Sequence, residues 1–277
     1  MTTMKAVVLH EYGGPEKLIY EDAPVPTPKD GEVLVKVAAA SLNPVDWKLR
    51  SGALKAMMPL ELPAILGRDV AGTIVQKNNA GAGAASPERV MGLVNHAYAD
   101  YLVAKRSDLV AIPDGIDDIQ AAALPLVLLT GCQLIERAVK PAKGWTVLVT
   151  GAIGGVGRTA VFVAKQHGAT VIAGVRAKQK GKASEIGADR VVALDDDAEM
   201  AALAEVDAVA DTIGGDTAKQ LVQKVKRSGV FATVVDPPTE EAKARGVRVE
   251  AFHATPDSTR LAQLVEDVAS GKLSIPV

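Results

Sequence analysis

The stretch Thr146–Gly157, TVLVTGAIGGVG, decides how the rest of the chain is read. Thr146 to Thr150 is a short apolar, β-branched run of the kind that forms a buried parallel strand. It breaks at Gly151, and glycines recur at 154, 155 and 157 before an apolar-periodic segment, Arg158 to His167, that closes on Gly168. The pattern predicts a strand, a tight turn and a helix. Such a turn lets backbone N–H groups and the positive end of the helix dipole approach a pyrophosphate, with Gly157 leaving room for the helix to pack on the strand. A second apolar run, Ala169 to Val175, completes a βαβ unit of about 30 residues. The spacing is Gly-x-x-Gly-x-x-Gly rather than the commoner G-x-G-x-x-G, and a purely structural turn would use the same glycines. The succession of elements favours a dinucleotide.

Length and composition set the outer limits. The chain has 277 residues, 48% hydrophobic and 23% charged, which is ordinary soluble composition and enough for about two domains. Net charge is −2, and no basic run or basic–aromatic interleaving is present, so neither nucleic acid nor an anionic membrane is an expected partner. No segment approaches the ~18 uninterrupted apolar residues of a membrane span. The opening MTTMKAVVLHEYGG lacks the apolar core of a signal peptide, and a cytoplasmic location is expected. A single cysteine, Cys132, excludes an internal disulfide and a cysteine-rich structural zinc site.

Upstream of the glycine turn the chain is β-rich. Lys5–His10, Glu32–Ala38, Leu62–Gln76, Arg89–Val94, Tyr98–Ala104 and Asp108–Pro113 read as strands. Ser41–Gly52 reads as a helix with Pro44 at its first position, and Asn78–Glu88 as a small-residue surface loop. From Ile119 to Lys140 the periodicity is that of buried helix, broken at Pro125. After Val175 follow a helix Lys178–Ile186, strands Arg190–Leu194 and Val206–Asp211, a helix from Gly214 and Gly215 to about Arg227, strands Val230–Val235 and Val247–Phe252, and a helix Ser258–Ser270. This alternation predicts an α/β fold with an open parallel sheet.

Several stretches resemble the zinc-free quinone oxidoreductases of the medium-chain dehydrogenase/reductase superfamily, the branch that includes zeta-crystallin. They are MKAVVLHEYGGPEKL (4–18), LNPVDWKLRSG (42–52), LPAILGRDVAGTIV (62–75), AYADYLV (97–103), AALPLVLLTG (122–131), the glycine turn, IGAD (186–189) and DTIGG (211–215). The resemblance implies a GroES-like catalytic domain over 1–118, a Rossmann coenzyme domain over 119–277, and a cleft between them where nicotinamide meets substrate. It also implies a closing helix and strand beyond Val277. If those are missing, the exposed surface is expected to be covered in a homodimer, paired through the edge strand at Val247–Phe252.

The alcohol dehydrogenases of that superfamily use a catalytic zinc, which takes three ligands from Cys, His and carboxylate. At the corresponding positions this chain has Asn43, Arg68 and a residue near Leu126, so no metal is expected. Of the four histidines, only His96 falls near the expected cleft. An NAD-preferring unit carries Asp or Glu about 20 residues after the glycine turn. Here Gly174–Lys180, GVRAKQK, holds three cations and no carboxylate. Arg176 and Lys180 are therefore assigned to the 2′-phosphate of NADP(H), the alternative being a solvated helix start. The cofactor residues expected are Thr130, Gly151, Ala152, Gly154, Gly155, Val156, Gly157, Arg176, Lys180, Gly214, Val234 and Phe252.

The expected reaction is hydride transfer from NADPH to a quinone or an α,β-unsaturated carbonyl, which leaves an enolate oxygen in need of donors. Asn43 is the first candidate to polarise the substrate, its rival role being helix N-cap. Asp46 and Arg50 lie in the same motif, where a structural ion pair would explain them equally well. Thr130 would orient the nicotinamide or serve as a buried helical threonine. Tyr98 would supply a proton only if its surroundings shift its pKa from ~10, and water is the alternative donor. The competing functional class is an NADPH-binding redox sensor or structural protein with little turnover.

Overall fold

The computed structural model describes residues 2–77 and 88–277. The loop expected at Asn78–Glu88 lies outside the described residues except for Glu88, which opens a strand. The chain forms two compact units. One comprises Met1–Leu126, Pro256–Ser270 and Val277; the other comprises Val127–Thr255 and Gly271–Pro276. A division at 118/119 was expected; the observed boundary falls after Leu126, and the segment 256–270 groups with the first unit.

The first unit is built on antiparallel strands. In chain order these are β1 (Thr3–Leu9), β2 (Leu18–Pro24), β3 (Glu32–Ala40), β4 (Ala64–Ile65), β5 (Asp69–Lys77), β6 (Glu88–Leu93), β7 (Tyr101–Lys105) and β8 (Leu109–Ala111). They form a three-stranded sheet, β2-β1-β4, and a five-stranded sheet, β7-β3-β5-β6-β8. Val33, Val35, Val70, Ile74, Val90 and Leu102 alternate inward and fill the core of the larger sheet. Helix α1 (Pro44–Ser51) starts on Pro44 after Asn43 and stops at Gly52, whose φ of 82° only a residue without Cβ adopts readily. Its Leu49 packs with Leu9 and Leu66. A short helix α2 (Asp118–Ala122) follows. The strand β2 had no counterpart in the sequence reading, because LIYEDAP is half polar and largely exposed.

Helix α3 (Pro125–Gln133) begins after the expected break and continues as a wider π turn over Leu134–Val139. The second unit then alternates: β9 (Thr146–Thr150), α4 (Gly155–Gln166), β10 (Thr170–Val175), α5 (Lys180–Ala183), β11 (Arg190–Ala193), α6 (Asp197–Ala202), β12 (Val206–Asp211), α7 (Gly215–Val222), β13 (Val225–Thr233), α8 (Thr239–Arg245) and β14 (Arg248–Ala251). Helix α9 (Ser258–Ala269) belongs to the first unit, where it packs on β8. The six strands are parallel in the order β11-β10-β9-β12-β13-β14. That is the doubly wound arrangement of a dinucleotide-binding sheet, with its switch point between β9 and β12. Leu148, Ile172, Val209 and Phe231, from four of these strands, share a core with Leu221 and Val222 of α7.

Three expectations are corrected. Helix α4 starts at Gly155, not Arg158, so its first turn is made of the glycine run itself. The helix expected over Lys178–Ile186 is α-helical only over Lys180–Ala183. The helix expected to reach Arg227 stops at Val222, and Val225 already pairs with Val206 as the start of β13.

Gly157 sits where a Cβ would lie 2.2 Å from the Gly151 carbonyl oxygen, a backbone atom that cannot swing away. Gly157→Ala is therefore expected to destabilise the second unit by about 1–3 kcal/mol. Gly181→Ala, where nothing lies within 4 Å of the new Cβ, serves as the control and should be neutral or slightly stabilising. Urea unfolding of both variants measures the difference, and equal midpoints would contradict the close approach.

Candidate functional site

In the first unit, strand β5 opens with Asp69, which has no exposed surface. A carboxylate so placed must be met by donors. Ser41 Oγ donates to Oδ2 at 2.5 Å and Asn43 Nδ2 to the same oxygen at 2.8 Å, while Oδ1 accepts the Leu126 N–H at 2.8 Å. Leu126 is in the first turn of α3, where a helix leaves N–H groups unpaired and favours a negative charge. The second amide hydrogen of Asn43 goes to Ser41 Oγ at 2.8 Å. Both Nδ2 hydrogens of Asn43 are thus committed, and the backbone N–H of Asn43 donates to Asp46 Oδ2 at 2.8 Å in the manner of a capping box.

Asn43, Asp46 and Tyr98 are brought together here. The Tyr98 hydroxyl donates to the Ser41 carbonyl at 3.0 Å. Burial, with the Asp46 and Asp69 charges, pushes the Tyr98 phenol well above its usual range. Burial also pushes Asp46 up, opposed by the Asn43 N–H, the Tyr98 hydroxyl and the Arg68 charge. Asp69 is pushed up to about 6 by burial, against the donors from Ser41, Asn43 and Leu126. Burial lowers Arg68, while Asp46 and Asp69 act to raise it. Arg50 Nε donates to the Gly13 carbonyl at 3.2 Å rather than to Asp46. His96 holds a φ of 65°, with Nδ1 2.9 Å from the Ile65 carbonyl oxygen. Ser41 and Asp69 are the members of this cluster that sequence reasoning passed over; the cue was an acid opening an otherwise apolar run, DVAGTIV.

A catalytic zinc does not fit this donor set. Asn43 presents amide hydrogens already spent, Arg68 is a cation, and both Asp69 oxygens are bonded. Among the described residues no three His, Cys, Asp or Glu side chains are grouped as a metal site.

In the second unit the glycine turn lies at the carboxyl end of β9. Helix α4 has no side-chain cap, and its first internal bond is Arg158 N–H to the Gly154 carbonyl at 2.8 Å. The N–H groups of Gly155, Val156 and Gly157 therefore have no partner within the helix. Across the switch point, Asp211 is fully buried and accepts from Thr150 Oγ1 at 2.8 Å, from Thr233 Oγ1 at 2.9 Å and from the Gly214 N–H at 3.1 Å. This one carboxylate ties together the ends of β9, β12 and β13. Val234 and Phe252 follow directly on β13 and β14, at the same edge. Ala152 sits within the turn, its N–H bonded to the Gly174 carbonyl at 3.3 Å. Thr130 is buried on α3, next to Gly131, whose hydrogen faces the Val156 carbonyl so closely that a Cβ would lie 2.4 Å away. The turn's unpaired N–H groups at a 12-residue helix's N-terminus fit a pyrophosphate.

The cations expected at the 2′-phosphate differ in their surroundings. Lys180 Nζ is paired with Glu199 Oε1 at 2.7 Å, whose other oxygen accepts the Ala193 N–H at 2.9 Å. The exposed Arg176 side chain makes no bond among the described residues. A carboxylate not foreseen, Asp195, accepts the Ala177 N–H at 2.6 Å.

The Asp69 pKa fixes the sign of a pH effect. Its value of about 6 lies above the ordinary 3.8, so the folded chain binds the extra proton between these values. Stability from this group is highest below pH ~4 and falls as pH rises toward 6, with a full loss on the order of 3 kcal/mol. Melting at pH 4.5 and pH 7 should show a larger drop for the parent than for Asp69→Asn. Matching drops would refute the assignment.

Two family models match the chain: "Alcohol dehydrogenase GroES-like domain" over residues 29–114 and "Zinc-binding dehydrogenase" over 155–243. A chloroplastic quinone-oxidoreductase homolog of Spinacia oleracea is 35% identical over 199 residues, 68% of this chain and 60% of that protein. The chain thus spans less than two thirds of that relative's length. The quinone oxidoreductase structure from Coxiella burnetii superposes with a TM-score of 0.86 at 29% identity, covering 100% of this chain and 90% of that one. A mycobacterial protein solved in complex with NADPH gives a TM-score of 0.83 at 28% identity, over 99% of this chain and 91% of that one. With its GroES-like first unit and its six-stranded parallel sheet, the chain belongs to the quinone oxidoreductase branch of the medium-chain dehydrogenase/reductase superfamily.

Proposed function

We propose that this protein is a metal-free, NADPH-dependent oxidoreductase that passes hydride to a quinone or an α,β-unsaturated carbonyl. The observation that carries this reading is that Asp69 accepts from the Ser41 hydroxyl, the Asn43 amide and the Leu126 N–H, with no thiolate or imidazole among its partners. Acidifying an alcohol with a metal is thereby closed to it, whereas an acceptor already activated by its own carbonyl needs only positioning and donors. Bound NADPH would supply the hydride. The N–H groups of Gly155, Val156 and Gly157 hold the pyrophosphate, and Arg176 takes the 2′-phosphate. The quinone oxidoreductases among the relatives and the NADPH complex of the mycobacterial neighbour support the same reading.

A second reading, an NADPH-binding protein with little turnover, is favoured by one observation. Both Nδ2 hydrogens of Asn43 are already bonded, so polarising a substrate carbonyl requires one of them to leave Ser41 or Asp69.

NADPH is expected to bind more tightly than NADH. Arg176→Ala should weaken NADPH by roughly 10- to 100-fold, the worth of a charge-assisted bond, and leave NADH unchanged. Lys180→Ala should cost less, because its ammonium is already paired with Glu199. Fluorescence titration of both coenzymes checks this, and equal affinities in the parent would overturn the assignment.

NADPH oxidation should show saturation kinetics with a quinone or enone panel and be unaffected by chelators, with little oxidation of simple alcohols. Faster turnover of benzyl alcohol would sink the reaction class, and coenzyme binding without turnover would favour the second reading. Asn43→Ala should melt lower, since Asp69 loses a donor at a cost of about 1–3 kcal/mol. A fall of ~10² to 10³ in kcat at unchanged NADPH affinity would give Asn43 the polarising role as well.

A further inference from the structure

Among the described residues two buried side-chain polar atoms have no hydrogen-bond partner, Asp46 Oδ1 and Arg68 Nε. Both belong to the cluster in the first unit. Arg68 also lines a cavity of about 700 Å³ formed by first-unit residues alone. Its walls are mainly apolar, with Met4, Leu49, Met58, Leu60, Ile65 and Leu102 among them. Besides Arg68, the described walls carry one carboxylate, Glu61, and one imidazole, His96, both exposed to solvent.

A guanidinium offers five N–H donors in a fixed fork that matches a carboxylate. The Arg68 fork gives none of them to the described protein. Of the two acids near enough to act on it electrostatically, Asp69 is engaged through Ser41, Asn43 and Leu126, while Asp46 gives Oδ2 to the Asn43 N–H and its Oδ1 makes no hydrogen bond to Arg68 or to any other described group. A half-buried cation left with an unspent fork at the wall of an apolar cavity is a site for an apolar anion, because desolvating such a group is offset only by a charged partner with matching geometry.

We propose that Arg68 holds the carboxylate of a ligand whose apolar body fills this cavity. Resting on the oxidoreductase reading, this makes the hydride acceptor a quinone or enone that itself carries a carboxyl group. Arg68 is then a specificity-determining residue.

The test separates the two readings. Binding of redox-inert 2-naphthoate and its neutral isostere 2-naphthamide to the full chain without coenzyme is measured by calorimetry. Naphthoate should bind at least about tenfold more tightly in the parent. Arg68→Met and Arg68→Gln should erase the preference, Arg68→Lys should keep part of it, and Leu60→Trp should weaken both probes by filling the cavity. Equal affinities in the parent would overturn the proposal whatever the variants do, as would a preference intact in Arg68→Met or Arg68→Gln. With NADPH, a carboxylated quinone should show a lower KM than its carboxamide in the parent, and the two should converge in Arg68→Gln. Selective naphthoate binding together with no turnover of any quinone or enone would leave the Arg68 site standing and overturn the oxidoreductase reading instead.

Discussion

Asp211 has no exposed surface, and the carboxyl edge of the parallel sheet is arranged around the donors that its carboxylate demands. A charge in that position is tolerable only if its oxygens are met. Threonines at the last positions of β9 and β13 meet them, together with the N–H groups of Ile213 and Gly214. The Thr150 hydroxyl also accepts the Thr212 N–H at 2.8 Å, and Thr212 Oγ1 returns a bond to the Thr150 carbonyl at 2.8 Å. Adjacent strands at the switch point are thereby locked at the edge from which the glycine turn departs. Strand order alone would bring that turn to this edge; the carboxylate network fixes its position.

The first unit repeats the device with other parts. Asp69 stands at the start of a strand rather than its end, and its donors come from a loop hydroxyl, an amide and a helix's first turn. Because burial outweighs those donors, the Asp69 pKa is pushed up to about 6, while the bonds from Ser41 and Asn43 favour its charged form. Any role for Asn43 toward a substrate is coupled through Asp69 to the same proton.

Legibility in the sequence followed burial. Strands β9 and β12 have the predicted bounds, because a strand covered on both faces must be apolar throughout and breaks sharply where burial ends. The exposed β2 carried no such signal. The start of β13 was misread for a related reason: Lys226, Arg227 and Ser228 are exposed, and the segment is a strand only because Val225 pairs with Val206. In the first-unit site, the helix beginning at Pro44 and the grouping of Asn43 with Asp46 followed from local spacing. Asp69 meets Asn43 across 26 residues and Leu126 across 57, pairings set by sheet topology rather than by any short pattern. The strand, glycine turn and helix were legible because their pattern is local to 12 consecutive residues, Thr146–Gly157.

The ion pair between Lys180 and Glu199 changes what the cationic run after β10 presents to its surroundings. Arg176, Lys178 and Lys180 suggest a local charge of three, but Glu199 cancels one and Asp195 lies against the Ala177 N–H. Counting Asp195 as well, the net charge of this group falls to about one, a weak cationic patch rather than a funnel. Such a patch fades within a Debye length of about 8 Å at physiological salt, so it does little to draw an anion in from solution. On the proposed NADPH reading, any discrimination between phosphorylated and unphosphorylated riboses would then reside in residence time, not in the rate of encounter.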